Sequence, residues 1–453
     1  MKNPAVRPGK RAAYPAYRPS GVEWLGEIPV QWGIVPVKRH FDIQLGKMLQ
    51  NSPLSEEDQL VPYLKALSVL WGCVNVEESP EMWANPSELT QYNVKDGDLV
   101  VCEGGEVGRA GIISLPPENC IIQNAVHRVR SKYASNVRFL MYTLHYVSSS
   151  GWFEVLCNKA TIAHFTREKF AKLKISLPEP EEQHAIATFL DRETSHIDTL
   201  IAKKQRQIEL LQQKRAALIS HAVTKGLNPD VRMKDSGIEW LGEIPEHWET
   251  QKFKRVAFFQ EGPGLRNWQF TDSGVHVICV TNITDKGIDF SGYEKFISEQ
   301  EYETTYRHFT VRNGDLLLSS SGNSWGKVAE FINDDRTILN TSTIRLNENH
   351  SGNVARAYLK WLLQSKGTRE QLGLMMTGAC QPNFGPSHLS IVIIAVPPLY
   401  EQRAIAAFLD HETSRIDTLI SKVKESIKKL REYRTALISA AVTGKIDVRK
   451  EVT

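Results

Sequence analysis

The sequence has no long apolar run, no paired cysteine motif and no strong excess of either charge. Across 453 residues, 55 Lys and Arg stand against 52 Asp and Glu, a formal charge of +3. Bulk charge announces no polyanionic partner, so any phosphate-binding surface has to be a local patch. Six cysteines (Cys73, Cys102, Cys120, Cys157, Cys279, Cys380) are scattered with no C-x-x-C among them. That spacing argues against a zinc site or a disulfide frame and predicts buried free thiols in a reducing cytoplasm. Stretches such as Ile391 to Val396 are far too short to span a bilayer, so no membrane role is expected. No signal peptide is visible. Residues 1–19 hold Lys2, Arg7, Lys10, Arg11 and Arg18, no acid, and four prolines. The prolines break the amphipathic helix of a transit peptide, and the segment reads as a basic disordered tail.

Catalytic motifs are also missing. Gly322-x-x-x-Gly326-Lys327 is one residue short of a phosphate loop, and Val328 stands where Ser or Thr would bind magnesium. Val396-Pro-Pro-Leu-Tyr400 lacks the Asn or Asp that a methyltransferase N/D-P-P-Y motif needs to hold an amino group. Gly262-Pro-Gly264 is a lone GxG and reads as a turn. Pro229-Asp230 has no Glu-x-Lys at nuclease spacing, and no His/Cys/carboxylate set has ligand spacing. No catalytic site and no metal site are expected in this chain.

What is present is one unit written twice. Ser20-Gly-Val-Glu-Trp-Leu-Gly-Glu-Ile-Pro29, followed by Trp32, returns as Ser236-Gly-Ile-Glu-Trp-Leu-Gly-Glu-Ile-Pro245, followed by Trp248. Asp96-Gly-Asp-Leu99 matches Asn313-Gly-Asp-Leu316, and Gly104-x-x-x-Gly108-Arg109 matches Gly322-x-x-x-Gly326-Lys327. Glu182-Gln183 opens a stretch to Val223 that Glu401-Gln402 repeats as far as Val442. The offset drifts only from 216 to 219 across these landmarks, so the whole chain is duplicated.

The repeated stretches lack Gly and Pro and space their apolar residues in threes and fours. Leu190, Ile197, Ile201, Ile208, Leu211 and Leu218 form one seam; Leu409, Ile416, Ile420, Ile427, Leu430 and Leu437 form the other at the same phase. Thr194/Thr413 and Arg215/Arg434 interrupt both seams at matching places. A helix of about 33 residues is roughly 50 Å long and needs a partner for its stripe. The nearest partner is its own repeat, packed antiparallel. Within each globular domain, Asp98 to Cys102 with Arg109 to Ile113, and Asp315 to Ser319 with Lys327 to Phe331, read as hairpins. Helices are expected over Val137 to Val147 and Val354 to Gln364, and last strands end at Pro178 and Pro397. The four conserved-in-repeat tryptophans, Trp24, Trp32, Trp240 and Trp248, read as core anchors joining domain to helix. The fold class is α+β: two similar α/β domains separated by two long helices in an antiparallel intramolecular coiled coil, with a pseudo-twofold repeat.

Two similar but unlike domains on a rigid helix pair suit a ligand that repeats along a line, such as duplex DNA, whose half-sites recur about every 34–36 Å. At this point the phrases WLGEIP…W, GDL and EQ-x-AIA-x-FLD-x-ETS-x-IDTLI resemble the specificity subunit of Type I restriction–modification systems. The resemblance runs through nearly the whole chain. It implies target-recognition domains over about 30–180 and 246–398, within segments 20–181 and 227–400, and helices at 182–226 and 401–445; the basic tail at 1–19 and a tail at 446–453 flank them. It also implies a bipartite double-stranded DNA site with a non-specific gap. Two methyltransferase subunits would dock on the helices and carry two restriction/translocase subunits. S-adenosylmethionine, ATP and Mg²⁺ would bind those partners, with adenine-N6 methylation and ATP-dependent cleavage residing there. The competing reading is a non-catalytic tandem-domain scaffold that binds proteins.

Base readout needs donors and acceptors on loops, with cations on the flanking phosphates. In the first domain the candidates are Lys47, Lys65, Arg109, His127, Arg128 and His164. In the second they are Arg266, Asn267, Lys286, Ser321, Asn323, Lys327, Gln381 and Asn383. Arg266 and Asn267 follow a Gly-Pro-Gly turn, and Arg suits guanine while Asn suits adenine. Gln381-Pro-Asn383 falls opposite Ile162-Ala-His164, just before the last strand of each domain.

Overall fold

The computed structural model describes residues 12–157, 164–284, 286–349, 352–376 and 382–451. It divides into two compact units: residues 1–204 with 425–453, and residues 205–424. The first long helix, Pro180–Lys225, and the second, Leu399–Val442, are each shared between the units. At 46 and 44 residues they exceed the 33 or so that the seam alone required. Each begins beside a proline, Pro180 at the first position of one and Pro398 just before the other, where a missing N–H costs nothing.

Unit 1 is built on a five-stranded sheet. Its order is Phe41–Leu45, Val126–Ser131, Leu99–Cys102, Ala110–Ile112, Gly72–Cys73. The first four pair antiparallel, and Leu99–Cys102 with Ala110–Ile112 is the expected hairpin. A smaller sheet places Gln59–Leu64 between the parallel Ile121–Ile122 and the antiparallel Glu81–Ala84. The helix Val137–Ser149 buries Phe139, Leu140, Leu144 and Val147. Lys174–Leu177 pairs antiparallel with Gly33–Pro36 and delivers the chain to the first long helix.

Unit 2 repeats the plan. Ala257–Glu261, Thr343–Glu348, Leu316–Ser319 and Val328–Glu330 form an antiparallel sheet. Val275–Ile278 lies between parallel Thr337–Leu339 and antiparallel Phe296–Ile297. Arg356–Gln364 matches the helix of unit 1, and Ile393–Val396 pairs with Glu249–Lys252 before the second long helix. One core joins sheet, helix and both long helices here: Leu316, Ile344, Leu359, Leu362, Ile219, Val223, Ile405 and Leu409 lie in a single buried cluster.

Inside each unit the long helices run antiparallel. In unit 1, Ser176, just before the first helix, donates through Oγ to Val442 O at the end of the second, and Arg434 meets Asp198 at 3.0 Å, so the start of one helix lies beside the end of the other. In unit 2, Arg215 meets Asp417 at 3.2 Å. Leu190, Ile197, Ile201, Leu409, Ile416, Ile420, Ile427 and Leu437 are buried. Ile208, Leu211, Leu218 and Leu430 are only partly so. Thr194 and Thr413 are satisfied in the seam because each Oγ1 donates 2.6 Å to the carbonyl four residues back, Leu190 and Leu409.

The Glu-Gln pair that opens each helical repeat ties domain to helix. Gln183 accepts from Asn136 N at 2.9 Å and donates to Pro178 O at 2.8 Å. Gln402 accepts from Ala355 N at 2.8 Å and donates to Pro397 O and Asn353 O. Both glutamines therefore cap the start of their domain's own helix. Glu401 accepts from Trp248 Nε1 at 2.9 Å and His247 Nε2 at 2.6 Å, whereas Glu182 accepts from Tyr14 Oη at 2.7 Å.

Several expectations are corrected. Residues 12–19 are not a free tail: Tyr14 is buried against Trp32, and Tyr17–Pro19 pairs with Glu27–Pro29. Residues 1–11 lie outside the described residues. Residues 446–451 are likewise held, since Val448 is buried, Asp447 N donates to Ala12 O, and the Arg449 guanidinium lies over the Tyr14 ring. Trp32 and Trp248 are core anchors, but Trp240 is exposed. Cys102, Cys120 and Cys157 are buried thiols, yet Cys73 lies exposed on the short edge strand; Cys380 is outside the described residues.

Candidate nucleic-acid interface

Each unit gathers four loop segments at one end of its main sheet, held by matching backbone hydrogen bonds. In unit 1, Gly46 N donates to Val126 O, Glu103 N to Ala125 O, and Phe165 N to Glu103 O at 2.8 Å. In unit 2, Gly262 N donates to Thr343 O, Ser320 N to Ser342 O, and Phe384 N to Ser320 O at 3.1 Å. The same frame thus brings together the loop after Phe41–Leu45 or Ala257–Glu261, the Gly-rich hairpin loop, the turn before Val126–Ser131 or Thr343–Glu348, and the segment before the short helix Arg167–Lys172 or Pro386–Ile391. Gly46 and Gly262 are required there by close approach. A Cβ on either would come within 2.3 Å of a carbonyl, Gln123 O or Asn340 O.

The hairpin loops differ by one residue. Gly108 N returns to Cys102 O, while Gly326 N returns to Ser319 O, one position farther apart. Frames match and tips differ, which is what two readers of different half-sites require.

Unit 2 displays most of its candidates. Arg266, Asn267, Lys286, Asn323 and Asn383 are exposed, and Ser321 and Lys327 are partly exposed. Ser321 and Asn383 meet across an isolated bridge, which joins the Gly-rich loop to the segment before Pro386–Ile391. Gln381 lies outside the described residues.

Unit 1 corrects three candidates outright. Lys47 is buried, with Nζ 2.6 Å from Glu88 Oε1 and 2.8 Å from Gln50 Oε1. His127 is fully buried, its Nε2 2.8 Å from Phe165 O, and burial pushes its pKa down to about 4. Arg128 is buried and donates to the carbonyls of Gln91 and Asn93. His127 and Arg128 sit in Val126–Ser131, the second strand of the sheet, which is hydrogen-bonded on both edges and buried over its first four residues. Arg109 is largely committed as well, to Glu106 Oε2 at 2.9 Å and Ala66 O at 2.9 Å. Lys65 is partly exposed, and exposed His164 lies 3.8 Å from Glu103.

Two further positions share the frame. Asn124 and Thr341 are exposed at the turn before Val126–Ser131 or Thr343–Glu348, at the same place in both frames. The repeat offset alone would have paired them, because Gln123-Asn124 and Asn340-Thr341 each follow an Ile or Leu strand end. The Asp of the repeated Gly-Asp-Leu is structural instead. Asp98 and Asp315 each accept 2.8 Å from a backbone N–H three residues earlier, at Lys95 and Arg312.

Comparison with known proteins places this architecture. Residues 29–210 and 245–429 match the family described as Type I restriction modification DNA specificity domain, and the chain belongs to that family. It is 27% identical over 360 residues to the Type I restriction enzyme MjaVIII specificity subunit of Methanocaldococcus jannaschii, covering 79% of this chain and 80% of that one. It is 20% identical over 422 residues to the EcoBI specificity subunit of Escherichia coli, covering 89% and 84%. In fold it resembles a chain from a structure of the type I R-M system, with TM-score 0.70 at 14% identity, covering 92% and 98%. It also resembles the HsdS subunit from Thermoanaerobacter tengcongensis, with TM-score 0.52 at 15% identity over the same shares. Among the described residues, no helix is long and apolar enough to cross a membrane.

Proposed function

We propose that the chain is the specificity subunit of a Type I restriction–modification complex and binds double-stranded DNA by sequence. Each loop cluster reads one half of a bipartite site. The long helices dock two methyltransferase subunits and set the gap, and two restriction/translocase subunits join through them. S-adenosylmethionine, ATP and Mg²⁺ bind those partners, which methylate adenine N6 and cleave DNA in the cytoplasm. The supporting observation is one backbone frame used twice with different tips: Gly46, Glu103, Ala125 and Phe165 against Gly262, Ser320, Ser342 and Phe384.

Exchange of residues 246–398 for the corresponding domain of a relative tests the reading. Methylated adenines would be mapped genome-wide in cells carrying the chain with its methyltransferase partner. One half-site should change and the other persist. If both halves changed, the two domains would not be independent readers.

A further inference from the structure

The loop that leaves the sheet at Gly46 or Gly262 carries an exposed apolar side chain in both units, Met48 or Trp268, and the recognition of base edges by polar groups does not account for it. Trp268 is 79% exposed, although tryptophan is among the side chains most often buried on average. It does not dangle. Leu265 is buried in a cluster with Val275, Val277 and Ile338, and Gln269 is buried with its amide on Glu301 Oε1 at 3.1 Å and Tyr306 Oη at 2.9 Å. Gln269 Oε1 also accepts from Arg266 N at 2.9 Å. The turn is thus anchored on both sides, and Arg266, Asn267 and Trp268 project together from it. In unit 1, Met48 is 75% exposed between two anchors, Lys47 with its ammonium on Glu88 and Gln50 with its carbonyl accepting from Trp83 N.

We propose that Trp268 and Met48 are specificity-determining residues that press an apolar face onto a base, each in the half-site its own unit reads. This inference rests on the DNA-recognition reading. A rigid turn presents the side chain without an ordering cost on binding. A thymine 5-methyl group is the apolar feature that the major groove offers. The neighbours on the turn favour DNA over a protein surface: a guanidinium and a carboxamide suit guanine and adenine edges, and no acid is among the three.

The test uses the complex with its methyltransferase partner, on duplexes carrying the site mapped for the wild type. W268A and M48A are compared with the conservative W268F and M48L. W268A should weaken binding about ten-fold or more and relax one position of the second half-site, leaving the first unchanged. M48A should do the same in the first half-site alone. W268F and M48L should keep most affinity. Deoxyuridine in place of the contacted thymine should weaken the wild type and leave W268A unaffected. The inference is overturned if W268A and M48A keep full affinity and an unchanged motif. It is also overturned if they lose methyltransferase subunits with the motif intact, which would place these side chains on a protein interface. A wild-type complex without half-site preference would overturn the recognition reading itself, and this inference with it.

Discussion

Arg434 Nε lies 3.0 Å from Asp198 Oδ1, and the same pair recurs in the other unit as Arg215 Nε with Asp417 Oδ1 at 3.2 Å. Arg434 follows Arg215 by 219 residues, and Asp417 follows Asp198 by 219. One duplicated helix supplies the arginine and its copy supplies the aspartate. An antiparallel pairing of two copies of one repeat satisfies both contacts with a single register; a slip of one turn breaks both. The polar residue at this seam position is a register pin of the kind known from coiled coils.

Charge exchange tests the pin. Asp198→Arg should destabilise unit 1 by about 1 kcal/mol, since the aspartate is half exposed and screening limits the pair's strength. Adding Arg434→Asp should restore most of the loss. Thermal unfolding of the two single variants and the double variant measures the coupling. No recovery in the double variant would mean that the register is held by the apolar seam alone.

Gln402 should be far less tolerant. Its buried amide serves Ala355 N, Asn353 O and Pro397 O at once. Gln402→Ala leaves these groups without partners and should cost about 3 kcal/mol or more by denaturant unfolding. Gln402→Glu should be no better, because a carboxylate oxygen would then face two carbonyls. Gln183→Ala should repeat the effect in unit 1.

Acid should weaken unit 1 before the carboxylates titrate. Burial pushes His127 from its ordinary 6.5 down to about 4. Burial, then the Arg434 charge, does the same to His145. A histidine with a depressed folded pKa is neutral in the fold and takes up its proton more readily when unfolded. Stability is therefore lost as pH falls from about 6.5 to 4, by at most about 3 kcal/mol per group. Unfolding midpoints between pH 7 and 4.5 should fall, and less steeply in His127→Gln. Arg434→Gln should raise the His145 titration seen by NMR.

Much of the frame was legible because it is local. The seams of threes and fours, the hairpins at Asp98 and Asp315 and the last strands before Pro178 and Pro397 all report nearest-neighbour geometry. The misses share a different cause. Lys47 reads as a loop cation until Glu88, 41 residues away, neutralises it. Arg128 reads as a phosphate ligand until the carbonyls of Gln91 and Asn93 surround it. The first residues read as a tail because Tyr14 finds Glu182 only after 168 residues. Charge type and spacing are local; the partner that consumes a charge is not. The exposed tips, such as Arg266 and Asn267, were legible because a Gly-Pro turn is itself a local instruction to protrude.

The last prediction concerns the gap. If the helices set the spacing of the half-sites, it should change with helix length, and only in steps that preserve the seam. Deleting seven residues from one helix would break the shared register, so the same heptad must leave both repeats: 205–211 with 424–430. Seven residues at 1.5 Å remove about 10 Å of helix. At about 3.4 Å per base pair, that is roughly three base pairs. Three pairs also turn one half-site by about 100° around the duplex. The double deletion should therefore abandon the native site or shift to a shorter gap, while each half-site keeps its own sequence. Methylation mapping in cells carrying the deletion with its partner subunits reads both quantities at once. An unchanged gap would mean that the helices do not set it; changed half-site sequences would mean that the deletion had disturbed the reading loops themselves.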